Sequence, residues 1–362
     1  MDEKDIARLR CIGFAPVWAE RVASCSANAQ PTAEPMRVVS VHRETLEIDR
    51  GDAEYSARVW PRLIRELQAR GETIATGDWV LAGRDAHGAW WVQMRVPPIS
   101  QIARRDGDGR RHAVVSNVDA ALVLMGLDDD FNLRRVERFL SLVLDSAIQA
   151  VVVLTKADLA AAKPPRLEQC LEAVRARLPA GTVVMALDAT APTAAEALQP
   201  YLGTGRTLVL LGSSGAGKST LTNTLVGSLV QDTGAVRESD LRGQHTTTSR
   251  ALFRLSGGAC VIDTPGVRTL SPLGNDATLS ASFGDIEALG LSCRFRDCRH
   301  SSEPGCAVLP TLDADRLNNY HKLLREMRRD SMTSLERRQQ LAEWKARGRA
   351  GSARLKAKRG ER

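Results

Sequence analysis

The chain has 362 residues, 43% of them hydrophobic, which is enough for two or three domains with cores of their own. A formal net charge of +7 and a pI near 9.2 favour a polyanionic partner, and no apolar run approaches the roughly 18 residues that a membrane span needs. Met1-Asp-Glu-Lys-Asp is charged and mixed, with no apolar signal core behind it, so a cytoplasmic protein without a membrane partner is expected.

Residues 1–35 read as a leader that ends in the linker-like stretch Ala29-Gln-Pro-Thr-Ala-Glu-Pro35. From 36 to 108 the text is short alternating segments: Val38-Val-Ser-Val, Thr45-Leu-Glu-Ile, Tyr55-Ser-Ala-Arg-Val-Trp, Trp79-Val-Leu and Trp90-Trp-Val-Gln-Met. Turn signals such as Asp49-Arg-Gly and Asp85-Ala-His-Gly separate them, which predicts a small antiparallel barrel. Trp90 and Trp91 are adjacent in a strand and face opposite ways, so at most one of them is available to stack on a base.

After Asn117 the period changes. Val118–Met125 reads as a buried strand, and a helix follows with Leu133, Val136, Phe139, Leu140 and Val143 on one face. A strand at Ala150–Leu154, a helix near Leu167–Leu178 and strands at Val183–Met185 and Thr207–Leu211 continue the alternation. Over 109–275 this predicts a mostly parallel sheet with helices on both faces. A Cys/His knot and helices occupy 276–335, with Leu317, Tyr320, Leu323, Leu324 and Met327 as an apolar stripe and Asp313 as its N-cap. Residues 336–362 are dense in Lys and Arg without an apolar period, the pattern of a disordered tail.

Gly212-Ser213-Ser214-Gly215-Ala216-Gly217-Lys218-Ser219, with Thr220 next, is a complete phosphate loop between an apolar strand and a helix. Its amides and helix N-terminus would cradle phosphates, Lys218 would reach the β- and γ-phosphates, and Ser219 would ligate Mg²⁺. Asp263-Thr264-Pro265-Gly266 follows the strand Ala259-Cys-Val-Ile, which suits Asp263 to Mg²⁺ and the Gly266 amide to the γ-phosphate. Upstream of both lies Thr155-Lys156-Ala157-Asp158, which is either an ordinary polar turn or a guanine-reading motif. In the second reading Asp158 accepts from the guanine ring N–H and exocyclic amine, donors that adenine lacks, and Lys156 packs its stem on the base. Thr155 stands where Asn is usual, and its hydroxyl could take over that contact. Together these make a GTP site in permuted order: base reader, phosphate loop, metal motif.

Cys293, Cys298, His300 and Cys306 have the spacing C-x₄-C-x-H-x₅-C, three thiolates and an imidazole that fill a tetrahedral zinc shell with no open position. The site is therefore expected to be structural, and Arg294, Arg296 and Arg299 within it would offer cations to RNA. Cys11, Cys25, Cys170 and Cys260 have no such neighbours and read as reduced thiols.

With these motifs in hand, the chain resembles the RsgA (YjeQ) family of circularly permuted GTPases that act on the small ribosomal subunit. The likeness runs from about Arg37 to Met327 and includes Gly77-Asp78-Trp79-Val80, Ser116-Asn117-Val118-Asp119 and Gly243-Gln244-His245-Thr246-Thr247-Thr248. Arg110-Arg111-His112-Ala113 departs from the family text, and Ala186-Leu187-Asp188 lacks the Ser-Ala of the second base motif. The resemblance implies a multidomain α/β protein: an OB-like barrel, a circularly permuted P-loop GTPase domain and a C-terminal zinc-binding helical domain. It implies a monomer that binds GTP and GDP with Mg²⁺, holds one structural zinc, and hydrolyses GTP when stimulated by the small subunit and its rRNA. Thr247 or Thr248 would close on Mg²⁺ and the γ-phosphate. Val267 occupies a position where many GTPases carry a water-orienting Gln, so His245 is the candidate for that task, or else it packs or contacts the partner. Two other readings stay open: a non-catalytic GTP-binding RNA assembly factor, and an ATP-using P-loop enzyme, against which Asp158 argues.

Overall fold

The computed structural model describes residues 3–105, 111–146, 148–162, 165–231, 250–264 and 276–332, with 336 and 339. The first 35 residues, expected as a leader, begin with two helices, α1 (Glu3–Arg10) and α2 (Pro16–Ser26). Proline at the first helical position suits α2, since that N–H would be unpaired in any case. Leu9, Ile12, Phe14, Trp18 and Val22 are buried against Trp79, Leu81 and Val96, so this segment is part of the folded body.

Next come β1 (Glu34–Val41), β2 (Leu46–Asp49), β3 (Glu54–Val59), α3 (Pro61–Ala69), β4 (Trp79–Arg84) and β5 (Trp90–Arg95). Strands β1, β2 and β3 form an antiparallel meander, β3 pairs parallel with β5, and β4 joins β5 to β1. The ring closes, which makes the predicted OB-like barrel of five strands. Met36, Val38, Ile48, Val80 and Val92 fill it, and Leu63 and Leu67, one helical turn apart on α3, cover its mouth. A hairpin of β6 (Gln101–Arg105) and β7 (Arg111–Ser116) follows. A domain boundary placed at 108/109 therefore falls between two paired strands.

The large sheet is built from β8 (Ala120–Gly126), α4 (Leu133–Asp145), β9 (Gln149–Thr155), α5 (Ala157–Ala161), α6 (Arg166–Arg175), β10 (Val183–Ala186), α7 (Thr193–Leu198), β11 (Thr207–Gly212), α8 (Lys218–Val226), β12 (Ala251–Arg254) and β13 (Cys260–Asp263). Its order is β10-β9-β8-β11-β13-β12, parallel except for β12. Successive strand residues feed opposite faces. Val123, Met125, Val152 and Val209 pack under Val136, Phe139 and Leu142 of α4, while Leu122, Leu124, Val151 and Leu208 pack under Leu198, Leu221 and Leu225.

Barrel and sheet are fastened at two places. Ser40 of β1 pairs with Ala251 of β12, and Arg254 Nε donates to Asp49 Oδ2 at 2.6 Å. At the other place the fully buried Arg37 donates to the carbonyls of Ile12 (2.8 Å), Asn117 (2.9 Å) and Gly77 (3.2 Å), and stacks on Trp79 at 5.1 Å. Gly77 has φ +89°, and a Cβ there would lie 2.2 Å from the Ser116 carbonyl. Asn117 caps the same joint: its Nδ2 donates to Gly77 O at 3.0 Å and its Oδ1 accepts from Ile99 N at 3.0 Å. The segments Gly77–Val80 and Ser116–Asp119 are thus the joinery between barrel and sheet.

The C-terminal unit holds α9 (Asp276–Ser282), α10 (Gly284–Gly290) and α11 (Ala314–Ser331), with Phe283, Ile286, Val308, Leu317 and Leu323 as core. Asp313 caps α11 as expected, its carboxylate accepting from Asp315 N at 3.0 Å. Glu137 on α4 is buried beneath this unit and accepts from Arg316 Nη1 at 2.8 Å, with Arg177 Nη1 at 3.5 Å and Asn319 Nδ2 also in contact. Burial pushes the Glu137 carboxyl up, and Asn319, Arg316 and Arg177 hold the charged form against it. Among the described residues no helix is long and apolar enough to cross a membrane.

Candidate functional site

Strands β8, β9, β11 and β13 all end at one edge of the sheet, the edge where ligands of parallel sheets gather. The phosphate loop leaves β11 at Gly212 and enters α8 at Lys218. Gly215 and Gly217 have φ of +79° and +84°, which turn the intervening backbone as a phosphate cradle needs. The Lys218 side chain is buried, and its ammonium donates to the carbonyls of Gly212 (3.0 Å) and Ser213 (2.8 Å). Burial pulls its pKa down, and Asp263 opposes this. These bonds hold the amine over the loop, where a phosphate oxygen can replace the carbonyls.

Ser219 Oγ lies 3.3 Å from Asp263 Oδ2, while Asp263 Oδ1 is buried without a hydrogen-bond partner. Burial pushes the Asp263 carboxyl up, countered by Lys218, Ser219 and the Thr264 N–H. A hydroxyl and a half-orphaned carboxylate beside a phosphate cradle are the donor set of a hard divalent cation, so these residues fit Mg²⁺. Thr264 Oγ1 donates to Leu210 O at 2.5 Å and locks the end of β13 against β11.

The segment Thr155-Lys156-Ala157-Asp158 begins where β9 ends. Thr155 is fully buried and its hydroxyl donates to Ala216 O at 2.8 Å, so it braces the phosphate loop from beneath. A Cβ on Gly217 would lie 3.3 Å from that hydroxyl. Lys156 is left-handed, at φ +59°, and its ammonium pairs with Asp128. Burial works against the Asp128 charge, but Lys156 and the Asp130 N–H outweigh it and the net shift is downward. Asp158, in the first turn of α5, is exposed. Asp188 is engaged locally, accepting from Thr190 N (2.8 Å) and Thr190 Oγ1 (2.7 Å). Thr220 follows Ser219 in the first turn of α8.

Four residues near the site were not singled out in the sequence. Asp128 positions Lys156, and Arg166 Nη2 donates to Asp128 O at 2.7 Å. Arg135 Nη1 reaches Ser213 Oγ at 3.5 Å. The buried Asn223 accepts from Val230 N (3.0 Å) and Gln231 N (2.9 Å), anchoring the exit of α8. Only Asp128 had a usable signal, its place directly after a parallel strand. Gly266, Val267, His245, Thr247 and Thr248 lie outside the described residues.

In the C-terminal unit the ligand atoms of Cys293, Cys298, His300 and Cys306 all lie within 4.8 Å of one another. His300 Nδ1 is 3.4 Å from Cys306 Sγ and 3.6 Å from Cys293 Sγ, and the two sulfurs are 4.0 Å apart. The cluster can hold a metal ion. Around it, Ala307 N donates to Cys293 Sγ at 3.3 Å, and Glu303 accepts from the N–H groups of Ser301 (2.8 Å), Arg299 (3.0 Å) and Ser302 (3.1 Å). Those backbone bonds take the Glu303 carboxyl down to about 2.

A parallel sheet with a phosphate loop, the Thr155–Asp158 segment upstream of that loop and an OB-like barrel fit a circularly permuted GTPase. The RsgA GTPase family model matches residues 96–272. The small ribosomal subunit biogenesis GTPase RsgA of Xanthomonas oryzae pv. oryzae (strain PXO99A) is 45% identical over 304 residues, 82% of this chain and 81% of that protein. The protein of the same name from Xanthomonas campestris pv. campestris (strain B100) is 44% identical over 317 residues, 85% and 83% of the two chains. The chain belongs to the RsgA GTPase family, a family of GTP hydrolases. Among solved structures, YjeQ from Thermotoga maritima matches with a TM-score of 0.56 at 22% identity over 82% of this chain and 98% of its own. YloQ, described as a circularly permuted GTPase, matches with a TM-score of 0.54 at 21% identity over 82% and 95%. Both support the fold.

Proposed function

We propose that this GTPase binds the small ribosomal subunit and hydrolyses GTP to GDP and phosphate when the subunit stimulates it, during late subunit maturation. The observation that carries the chemistry is the convergence of Lys218, Ser219 and the half-orphaned Asp263 carboxylate at one strand edge, with Asp158 at the neighbouring strand end. The partner is the one in the names of relatives 44–45% identical over most of the chain.

In this reading Lys218 leaves the Gly212 and Ser213 carbonyls for the β- and γ-phosphates, and Gly212–Thr220 supplies amides and hydroxyls around them. Ser219 and Asp263 hold Mg²⁺, which when bound screens the phosphate charge. Asp158 reads guanine while Asp128 holds Lys156 in place for its stem to cover the base. Thr155 serves the base site indirectly, by bracing the loop through Ala216. Thr247 or Thr248, the Gly266 amide and His245 keep the switch and water-orienting roles that the resemblance implies.

The metal of the Cys/His cluster is zinc in this proposal. Bonds of about 2.3 Å to sulfur and about 2.0–2.1 Å to nitrogen give tetrahedral edges of about 3.5–3.8 Å, close to the separations of Cys293, Cys306 and His300. With four protein ligands its work is structural. The barrel (36–108) and the basic knuckle would contact rRNA on either side of the GTPase domain (109–275), and the protein would act as a cytoplasmic monomer. Trp91 suits base stacking better than the buried Trp90, although its indole N–H already donates to Asp85 at 2.9 Å.

Hydrolysis of GTP and of ATP, each with and without purified small subunits, tests this. Slow GTP turnover that rises sharply with subunits, with ATP inert, is expected. GTP binding without stimulation would favour an assembly factor that holds nucleotide without turning it over, and equal use of ATP would remove Asp158 as guanine reader.

A further inference from the structure

Where barrel, hairpin and sheet meet, a cleft of about 290 Å³ is lined by Thr73, Thr76, Arg104, His112 and Arg250, with Val41, Ile74 and Ala113 among the rest. That is roughly ten times the ~30 Å³ a water occupies in the liquid. Two arginines and a histidine contribute to its walls, and no carboxylate among the described residues does. Arg104 and His112 are cross-strand partners in the β6–β7 hairpin, so they share one face. Arg250 approaches from the other side, at the start of β12, where Thr76 Oγ1 donates to its carbonyl at 3.3 Å. Arg250 Nε is buried without a hydrogen-bond partner. Burial and the neighbouring Arg104 both pull its guanidinium below the ordinary arginine value. Thr73 Oγ1 accepts from Ala113 N at 3.2 Å, which leaves its hydroxyl hydrogen for another acceptor.

Two arginines brought together in a concave site without a neutralising acid cost the empty protein stability. A tetrahedral dianion or a phosphodiester removes that cost, since it supplies acceptors for an arginine fork, an orphaned N–H and a hydroxyl together. We propose that this cleft binds a phosphate group of an RNA backbone, with Arg104 and Arg250 as its clamp. The RNA source rests on the ribosomal reading above; the anion chemistry does not. Arg250 is two residues beyond Thr248 in the sequence. This site is separate from the phosphate loop, which belongs to β11.

The test uses the full chain, saturated with GDP and Mg²⁺ so that the phosphate loop is filled. Binding to purified small subunits is measured against salt for the wild type, for R104Q/R250Q, and for R175Q, which removes an exposed charge in the last turn of α6, outside the cleft and outside the barrel. The slope of log K against log salt should fall by about 0.7–0.9 for each RNA phosphate that the variant no longer neutralises. A fall of that size in R104Q/R250Q, with R175Q unchanged and no drop in melting temperature, is the expected result. Equal slopes for the double variant and the wild type, or equal falls in both variants, would overturn the site. Should the wild type bind subunits neither with GDP nor with a non-hydrolysable GTP analogue, the ribosomal reading fails, and inorganic phosphate decides the cleft alone. A rise in melting temperature with phosphate in the GDP-loaded wild type, absent from R104Q/R250Q, supports the clamp, and no rise in the wild type refutes it.

Discussion

Replacing Arg37 with methionine keeps the stem and removes the guanidinium, which isolates what the joint contributes. In the folded protein that group serves three buried carbonyls, those of Ile12, Gly77 and Asn117, which belong to the N-terminal helices, the barrel and the approach to β8. Each carbonyl left without a donor costs about 1–3 kcal/mol. Against this, the guanidinium no longer has to be desolvated, a penalty of several kcal/mol in a site where burial pulls its pKa down more strongly than Cys260, Asp119, Asp78 and Asp49 raise it. Gly77 O keeps a second donor in Asn117 Nδ2, so two carbonyls are fully orphaned at about 2–6 kcal/mol together, and the recovered desolvation brings the net loss down to at most about 3 kcal/mol. That is a large part of the ~5–15 kcal/mol typical of a domain. Urea unfolding followed by tryptophan fluorescence reads it directly, because Trp79 lies under the guanidinium. The transition should move to lower urea and split, with the tryptophan signal lost before the GTPase domain melts. Arg37→Lys should behave almost like the methionine variant, since one ammonium on a flexible stem cannot span three diverging carbonyls. A single cooperative transition at the wild-type midpoint in Arg37→Met would refute the assignment of this joint.

Asp158→Asn should weaken GDP by about 10²–10⁴-fold, since two bonds to a charged acceptor are worth about 1.5–3 kcal/mol each, and should improve binding of the xanthine nucleotide; competition with a fluorescent GDP analogue measures both. Asp263→Asn should raise the melting temperature of the Mg²⁺-free protein by about 2–4 °C, as expected for relief of ~1 kcal/mol in a domain of this size. The sign follows from the raised carboxyl: its charged form is disfavoured in the fold, so stability is lost as pH rises through the folded pKa, and the amide avoids this. The same variant should lose Mg²⁺-dependent turnover. Glu303→Gln should speed metal release to a chelator several-fold. Because the Glu303 pKa is depressed from 4.5 to about 2, its contribution is complete above 4.5 and lost only as pH falls toward 2. Release rates of variant and wild type should therefore run parallel between pH 7 and 5, and curves that converge there would contradict the role given to Glu303.

The site was largely legible because its chemistry is local in sequence. A loop from Gly212 to Ser219, an aspartate closing β13 and four Cys and His residues between 293 and 306 that can hold a metal ion each carry their meaning in their spacing. Thr155 was harder to read. Its hydroxyl faces the phosphate loop, and only the three-dimensional proximity of β9 to β11 reveals Ala216 as its acceptor. The N-terminal helices were hidden by the Pro- and Ala-rich stretch after them, although Leu9, Ile12, Trp18 and Val22 carry helical spacing. The β6–β7 hairpin was hidden by its charged residues, which break the alternation, while Ile102, Val114 and Val115 pack into the core. Arg37 could not have been found from the sequence. An arginine in a strand normally points to water, and its burial depends on three carbonyls 25, 40 and 80 residues away.

Permutation leaves the site intact because the sheet, not the chain, sets its dimensions. Strands lie about 4.8 Å apart. Strand β9, which ends in the Thr155–Asp158 segment, and the phosphate strand β11 are separated by β8, so their ends stand about two spacings, or ~10 Å, apart, which suits the reach from a purine to its β-phosphate in the proposed GTP site. Strand β13 is one spacing from β11, which brings Asp263 within 3.3 Å of Ser219. None of this depends on where the chain begins. What permutation does change is the attachment of the barrel. The barrel now leads through the β6–β7 hairpin into β8, past the Arg37 and Asn117 joint and beside the strand that carries the phosphate loop. It also covers the outer edge of β12, an edge that would otherwise offer unpaired backbone to another chain. Whatever the barrel grips is therefore connected to both the phosphate strand and the strand that follows the switch sequence, which is the connectivity a partner-stimulated GTPase requires.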